Sequence, residues 1–415
     1  MILLYNDQQS MTTTRKFRIL GILKGFYFYL PIFTLYTLDH GIALSAVVFS
    51  QVFYSLTKSL CEIPTGLFAD KFGQRTSIII GYILEAIGIL SIVISPTVFG
   101  LYACYAIGGL AASFLSGSEE ALVFEAAKKE KKTYSKEYGA FLSNQTFGMV
   151  ISAFFGGLVF QLFDHAAFVP LFVATIGSLL SAALIATSVQ NIRASIKDSA
   201  DGSGMLTMLK KSMNVIRKDA TIFHLTIVAG LTITGEYFLY SVYQPAFSAV
   251  HVPAIWFGAA LSIGSIINMV LVRYIYVLER HFTLDKIILG VNAIIALGYI
   301  VMATTQSAIG IVAAFILAQS LFGLEAPIVS DYVNERVASN IRSTVLSGIS
   351  FVERIANVMF RLCLTVAVGW YGVSGGLLAQ GGYLLVGALV SYWLLVRCGC
   401  AHRITKHNGV SVSSV

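Results

Sequence analysis

Gly66-Leu67-Phe68-Ala69-Asp70-Lys71-Phe72-Gly73-Gln74-Arg75 is the stretch on which the reading of this chain turns. Two glycines, one acid and two bases stand between apolar runs at 43–69 and 76–95. A helix needs about 20 apolar residues to cross a bilayer, and both runs reach that length. The stretch therefore reads as a tight, charged turn between two membrane-crossing helices, its glycines permitting the turn and a close backbone approach. Its chemistry is that of a latch. Asp70 can accept from backbone N–H groups at a helix N-terminus. Lys71 and Arg75 can pair with acids on neighbouring helices, and Glu125, at the inner end of a later run, is the natural partner for Arg75.

Outward from this turn, apolar runs recur near 17–37, 98–124, 139–163, 167–188, 221–244, 254–278, 286–304, 307–329, 343–367 and 374–397, giving twelve spans with the first two. The composition agrees: 56% of residues are hydrophobic and 12% charged, against roughly 25% charged in soluble chains. Twelve spans at about 20 residues each use roughly 240 of the 415 residues, which leaves short loops and no sizeable soluble domain. Soluble enzyme, nucleic-acid binder and secreted scaffold are set aside. The net charge of +7 matters through its distribution.

Lys and Arg favour cytoplasmic loops. With the N-terminus inside, the inner segments hold Arg15, Lys16, Arg18, Lys71, Arg75, Lys128, Lys129, Lys131, Lys132 and Lys136, and later Arg193, Lys210, Lys211, Arg280, Arg336 and Arg403. The outer loops carry Asp39, His40, Asp164, His165 and His251, and no Lys or Arg. The expectation is a multi-pass protein of an inner or plasma membrane with both termini cytoplasmic, its first span retained as an anchor. The five cysteines (Cys61, Cys104, Cys363, Cys398, Cys400) fall in spans or on the inner side, which argues against a disulfide framework. Cys398 and Cys400 with His402 give only three possible ligands on a tail, and no metal site is read there.

Residues 189–220 form the one long polar connection and divide the chain into bundles at 1–188 and 221–415. The halves resemble each other. Gly25-Phe26-Tyr27-Phe28 recurs as Gly235-Glu236-Tyr237-Phe238, Ala69-Asp70-Lys71 as Leu278-Glu279-Arg280, and Gly117-Ser118-Glu119 as Gly323-Leu324-Glu325, at offsets of 210, 209 and 206. A duplicated six-helix unit places a solute site near the bilayer midplane, exposed to each side in turn as the halves rock.

The 66–75 stretch resembles the G-x-x-x-D-[RK]-x-G-x-[RK] signature of the major facilitator superfamily, and the resemblance extends over almost the whole chain. Glu62-Ile63-Pro64-Thr65-Gly66, Ser116-Gly117-Ser118-Glu119-Glu120-Ala121-Leu122 and Arg342-Ser343-Thr344-Val345-Leu346-Ser347 look like a prokaryotic subgroup of drug and metabolite exporters. The resemblance implies an all-α membrane fold of twelve helices in two pseudo-symmetric bundles. It also implies that Gly66, Asp70, Lys71, Gly73, Arg75 and Glu125 form a cytoplasmic latch holding the outward-open state. In the second copy Phe282 replaces Gly73 and Leu284 replaces Arg75, so a latch there is weaker. Exporters of the superfamily often carry G-x-x-x-G-P-x-x-G-G in span 5; here Gly148 to Gly157 has Ser152-Ala153 in place of the central Gly-Pro. That leaves the direction of transport open.

An ionisable group within a span costs roughly 3 kcal/mol or more and is a functional candidate by default. Lys58 and Glu62, four apart on one face, can neutralise each other. Glu85 suits a structural hydrogen bond. Glu119 and Glu325 join Lys58 and Glu62 as candidates for buried charge pairs; with Arg273 they lie toward the cytoplasmic ends, where they suit an inner gate, and Lys24 and Arg361 are placed to snorkel. Glu236 has no cation on its own helix and lies near mid-depth of span 7, which lines the cavity in this fold. It suits proton coupling or cation binding, or else a salt bridge to Arg354 or Arg361, with Glu353 the second coupling candidate. Tyr29, Tyr237, Tyr240 and Arg354 are the candidate cavity residues, since rings suit flat or cationic solutes, although packing alone accounts for many membrane aromatics.

The expected function is a secondary active transporter driven by the proton gradient, with no bound cofactor. Its expected partners are the bilayer, protons and a small organic solute, with no nucleic acid, and the working state is a monomer. Proton-coupled efflux of a drug-like compound or secreted metabolite such as a siderophore leads; import of an organic solute follows; a transport-inactive membrane sensor or assembly partner is the reading from another class. No catalytic constellation appears, so no enzyme is expected.

Overall fold

The computed structural model describes residues 12–191, 220–324 and 342–397. Among these residues every one of the twelve apolar stretches is helical and there is no strand. The first half contains α1 (Thr13–Gly25), α2 (Phe33–Asp39), α3 (Leu44–Phe72), α4 (Gln74–Ile94), α5 (Val98–Leu115), α6 (Ser118–Lys129), α7 (Tyr134–Phe163) and α8 (Phe168–Thr187). The second contains α9 (Ala220–Ala249), α10 (Ile255–Arg273), α11 (Ile275–His281), α12 (Leu284–Thr304), α13 (Ala308–Leu321) and α14 (Arg342–Arg397). Seven helical stretches are long and apolar enough to cross a membrane. At about 1.5 Å per residue, α3 and α9, with 29 and 30 residues, are long enough as well. Leu60, Ile94, Leu184, Ile309 and Trp370 are all exposed, an apolar surface that water would not tolerate over a whole molecule and that lipid accepts.

Hydropathy located the spans but not their breaks. Span 1 is two helices, α1 and α2, joined by an irregular turn and a short 3-10 segment at Leu30–Ile32. Span 4 is interrupted between α5 and α6, where Gly117 takes φ +74, a left-handed conformation that glycine adopts without a Cβ penalty. Span 8 breaks at Tyr274, and α14 bends at Gly372 (φ +66), which separates spans 11 and 12.

The described residues fall into two compact units, one made of the first half of the chain with Tyr240–Ser265, the other of the remaining second-half residues. In the first unit, α1 lies against α7 through glycines on both helices. A Cβ on Gly25 would strike the Gln145 carbonyl, and one on Gly148 the Ile22 carbonyl. Close backbone approach through small residues is how membrane helices gain van der Waals contact without a hydrophobic driving force. Phe17, Tyr36, Tyr82, Phe141 and Phe172 fill the core between these helices. In the second unit α12 packs on α13 and α14. Buried Tyr299 donates from its hydroxyl to the Gly235 carbonyl at 2.6 Å, and Thr232 to Asn292 Oδ1 at 3.1 Å.

Candidate functional site

The break in span 1 is built rather than frayed. In lipid a freed backbone N–H or C=O must find a partner inside the protein, and hydroxyls from α7 and α8 supply them. The Tyr27 N–H donates to Ser152 Oγ at 3.0 Å and the Phe28 N–H to Thr175 Oγ1 at 3.0 Å. Ser152 Oγ donates to the Gly25 carbonyl at 3.2 Å, and Ser178 Oγ to the Leu23 carbonyl at 2.7 Å. Beyond the 3-10 segment the fully buried Gln244 of α9 completes the set. Its Oε1 accepts from the Thr34 and Leu35 N–H groups at 2.8 and 3.1 Å, and its Nε2 donates to the Leu30 carbonyl at 2.9 Å. Ser152 occupies the place of the missing Gly-Pro in span 5, so the altered motif serves the bend in span 1.

Charged side chains gather where α1 ends. Lys24 Nζ lies 2.6 Å from Glu119 Oε2, with side chains only 15% and 10% exposed, and Tyr82 donates to Glu119 Oε1 at 2.8 Å. Tyr27 donates to Glu85 Oε1 at 2.6 Å, which bears out the structural hydrogen bond expected of Glu85. Glu85 Oε2 is buried and accepts no hydrogen bond. One expectation falls here. Lys24 does not snorkel, because a carboxylate lies within reach in the interior. Glu119 sits in a buried charge pair, as expected, with Lys24 as its partner.

The turn between α3 and α4 is docked on the end of α8. Gly73 takes φ +99, and a Cβ there would overlap the Asn191 side chain. Asn191 Oδ1 accepts from the Arg75 N–H at 3.1 Å while its Nδ2 donates to the Phe72 carbonyl at 3.1 Å. Arg75 Nη1 donates to the Thr187 and Val189 carbonyls, both at 3.2 Å. These carbonyls lack intrahelical partners at a helix C-terminus and carry its negative dipole, so a guanidinium is well matched to them. The expected pairing of Arg75 with Glu125 is therefore replaced by a cap on α8; Glu125 instead lines a surface cavity with Gln74, Gly117, Glu120 and Tyr134. Asp70 accepts from the Gln74 side chain at 3.4 Å rather than from a helix N-terminus, and Lys71 lies over the Phe72 ring, 5.3 Å from its centre. Gly66 has open space around it, so of the two glycines only Gly73 meets the turn requirement.

A neighbouring clip fastens the loop after α6. Glu130 accepts from the Thr14 N–H at 3.0 Å and hydroxyl at 2.6 Å, and lies 2.7 Å from Lys132 Nζ. Burial alone would raise its carboxyl; the bonds from Lys132 and Thr14 outweigh it and hold Glu130 below the usual carboxylate range.

In the second unit, Arg361 is fully buried. It donates from Nε to Asn357 Oδ1 at 3.3 Å and from Nη2 to the Thr234 carbonyl at 3.4 Å, and lies 5.8 Å from the Tyr237 ring centre. The snorkelling reading of Arg361 is thereby corrected. Glu236, between Gly235 and Tyr237 on α9, is partly buried and forms no hydrogen bond or ion pair with a described residue. Glu353 and Arg354 are neighbours on α14, both partly buried. Tyr240, also partly buried, belongs to the first unit, as does Tyr29, which stacks on Phe172 at 4.9 Å. Lys58 and Glu62 are both partly buried on α3, and both are engaged. Glu325, Cys398, Cys400 and His402 lie outside the described residues.

Residues 20–360 match the family model described as Major Facilitator Superfamily. This chain belongs to that superfamily. It is a transporter, not an enzyme, and a multi-pass membrane protein. Within the superfamily it is similar to the uncharacterized MFS-type transporter YxaM of Bacillus subtilis (strain 168), at 21% identity over 364 residues, covering 86% of this chain and 89% of the relative. It is also similar to an uncharacterized transporter of Buchnera aphidicola subsp. Schizaphis graminum, at 30% identity over 129 residues; that match spans 30% of this chain and only 32% of the relative's length. Among solved structures, the nucleoside transporter NupG superposes with a TM-score of 0.75 at 13% identity, covering 93% of this chain and 99% of that one. The POT family transporter PepTSo gives 0.69 at 12%, covering 95% and 100%. At such identities the likeness is one of fold.

For a member of this superfamily, the groups that sequence reading missed are mostly neutral: Ser152, Thr175, Ser178 and Gln244. Hydroxyls in apolar helices carry no signal of their own, because they usually bond within their own turn. The one available pointer was the bracketing of Phe26–Leu30 by Gly25 and Pro31, a helix end followed by a proline placed at the start of the next segment.

Proposed function

We propose that this chain moves a small organic solute across the plasma membrane by alternating access, coupled to protons through Glu236. Glu236 carries the reading: an acid in a span, without an ion pair among the described residues, would be costly as a fixed charge and is suited to take up and release a proton. Glu353 is the second candidate. Tyr29, Tyr237, Tyr240 and Arg354 are the proposed solute contacts, and the Asp70–Arg75 turn is the proposed cytoplasmic latch. The working unit is a monomer of two six-helix bundles, 1–188 and 221–415, with a cytoplasmic linker and both termini inside.

Efflux of a drug-like compound or a secreted metabolite such as a siderophore is the leading direction, supported by the resemblance of the 62–75 stretch to exporters. Import is the second reading. It is favoured by Ser152, whose hydroxyl serves the span 1 bend where exporters of the superfamily often have Gly-Pro.

Internal pH in proteoliposomes under an imposed proton gradient tests the proposal, with cationic drugs, siderophores and organic acids added in turn. Solute-triggered proton movement is expected in the wild type and is abolished in Glu236→Gln. Movement that persists in the variant assigns the coupling elsewhere, first to Glu353. Binding without proton movement in the wild type would overturn coupled transport and leave a sensor or a uniporter.

A further inference from the structure

We propose that the first unit contains a second solute subsite, at the break in span 1, where Glu85 binds the protonated amine of an organic cation. The polar groups around the break are nearly all committed. Lys24 is paired with Glu119 at 2.6 Å, Tyr82 bonds the other Glu119 oxygen at 2.8 Å, and the Tyr27 hydroxyl is given to Glu85 Oε1 at 2.6 Å. Two buried oxygens there are without a hydrogen bond, Thr34 Oγ1 and Glu85 Oε2, and of these Glu85 Oε2 belongs to an ionisable group.

The sign of the missing partner follows from the charges. Lys24 is ion-paired with Glu119, whereas the Glu85 carboxyl has no ion pair among the described residues and only the Tyr27 hydroxyl as a hydrogen-bond donor. A buried carboxylate needs a counter-charge or a donor, and an anionic group would be repelled. The walls favour a cation as well. Tyr27 meets Tyr29 edge to face at 6.2 Å, Tyr29 stacks on Phe172, and Phe33 meets Tyr105 at 5.9 Å. Aromatic faces attract ammonium groups. Although its Oε2 is covered, Glu85 as a residue is only partly buried, so the proposed site requires the side chain to turn toward the ligand. That the cation is cargo rests on the transport reading; that it binds does not.

The test is equilibrium binding of ethidium, a flat aromatic cation bearing amines, to the purified full chain in nanodiscs at fixed pH. Saturable binding is expected, weakened about tenfold or more in Glu85→Gln, since a hydrogen bond to a charged group is among the stronger kind. Tyr27→Phe should weaken it less, by releasing the carboxylate from its fixed orientation. Carbodiimide labelling of the wild type guards against a misfolded variant: ethidium should protect Glu85 from modification. Absence of binding by the wild type, equal binding by Glu85→Gln or unprotected Glu85 would each overturn the proposal. Glu85-dependent binding without proton flux would remove the coupled-transport reading and leave this site standing. Proton flux with Glu85-independent binding would do the reverse.

Discussion

Ser152 has a single hydroxyl and uses it in both directions, accepting from the Tyr27 N–H and donating its one proton toward the Gly25 and Met149 carbonyls, at 3.2 and 3.1 Å. Alanine at this position would remove these bonds and leave the Tyr27 N–H and the Gly25 carbonyl only the tight 2.9 Å bond between them, in a fully buried place. A hydrogen bond contributes roughly 0.5–1.5 kcal/mol net, so Ser152→Ala should lower the thermal unfolding midpoint of the detergent-purified protein by a few degrees. Thr175→Val, which strips the partner of the Phe28 N–H, should do the same. Unchanged midpoints in both would mean that the bend does not depend on these hydroxyls. The contrast with the charged residues shows what was legible at this scale. Lys24, Glu85 and Glu119 announce themselves because charge is rare in apolar runs, but nothing in their spacing says that Lys24 meets Glu119. Partners on different helices are set by packing, through Gly25 and Gly148 among others, which a linear pattern does not record.

Hydropathy resolves elements as lengths of apolar chain, and on that basis all twelve spans were legible. Breaks were not, since a window averaged over some 20 residues scores α1 and α2 as one run. The geometry that separates them depends on Gln244, more than 200 residues away, whose amide reaches Leu30, Thr34 and Leu35. It is the tip of α9, grouped with the first half of the chain, that pins the start of α2. Two further contacts join the same regions: Ser262 donates to the Val150 carbonyl at 2.7 Å, and Gln161 accepts from the Ile255 N–H at 3.2 Å. Gln244→Leu keeps the volume but removes three hydrogen bonds. The amides of Thr34 and Leu35 should then exchange with solvent deuterium at least about tenfold faster, because local opening follows the free energy of the bonds that resist it. Exchange at the wild-type rate would show that α2 is held by its apolar packing, for which Tyr36 on Phe172 at 4.8 Å is the first candidate.

At the scale of the whole molecule, the fold follows from arithmetic on charge and length, whereas orientation rests on where Lys and Arg lie. The described structure keeps these two ends distinct in kind. At one, Asp39, Asp164 and His165 cluster, with His165 Nδ1 3.2 Å from Asp39 Oδ2. At the other, Arg75 caps α8 and Lys132 clips Glu130. Lys and Arg resist transfer across a membrane during insertion, so the basic end should face the cytoplasm. Asp39 and Lys128 are both exposed, which makes them suitable reporters once the five native cysteines have been replaced. In intact cells a membrane-impermeant maleimide should label Asp39→Cys directly, and should label Lys128→Cys only after the membrane is permeabilised. The reverse pattern would invert the topology and, with it, the side on which the Asp70–Arg75 turn acts. It would leave the polar site at the span 1 break intact, since that site depends on contacts within the membrane and not on which way the protein faces.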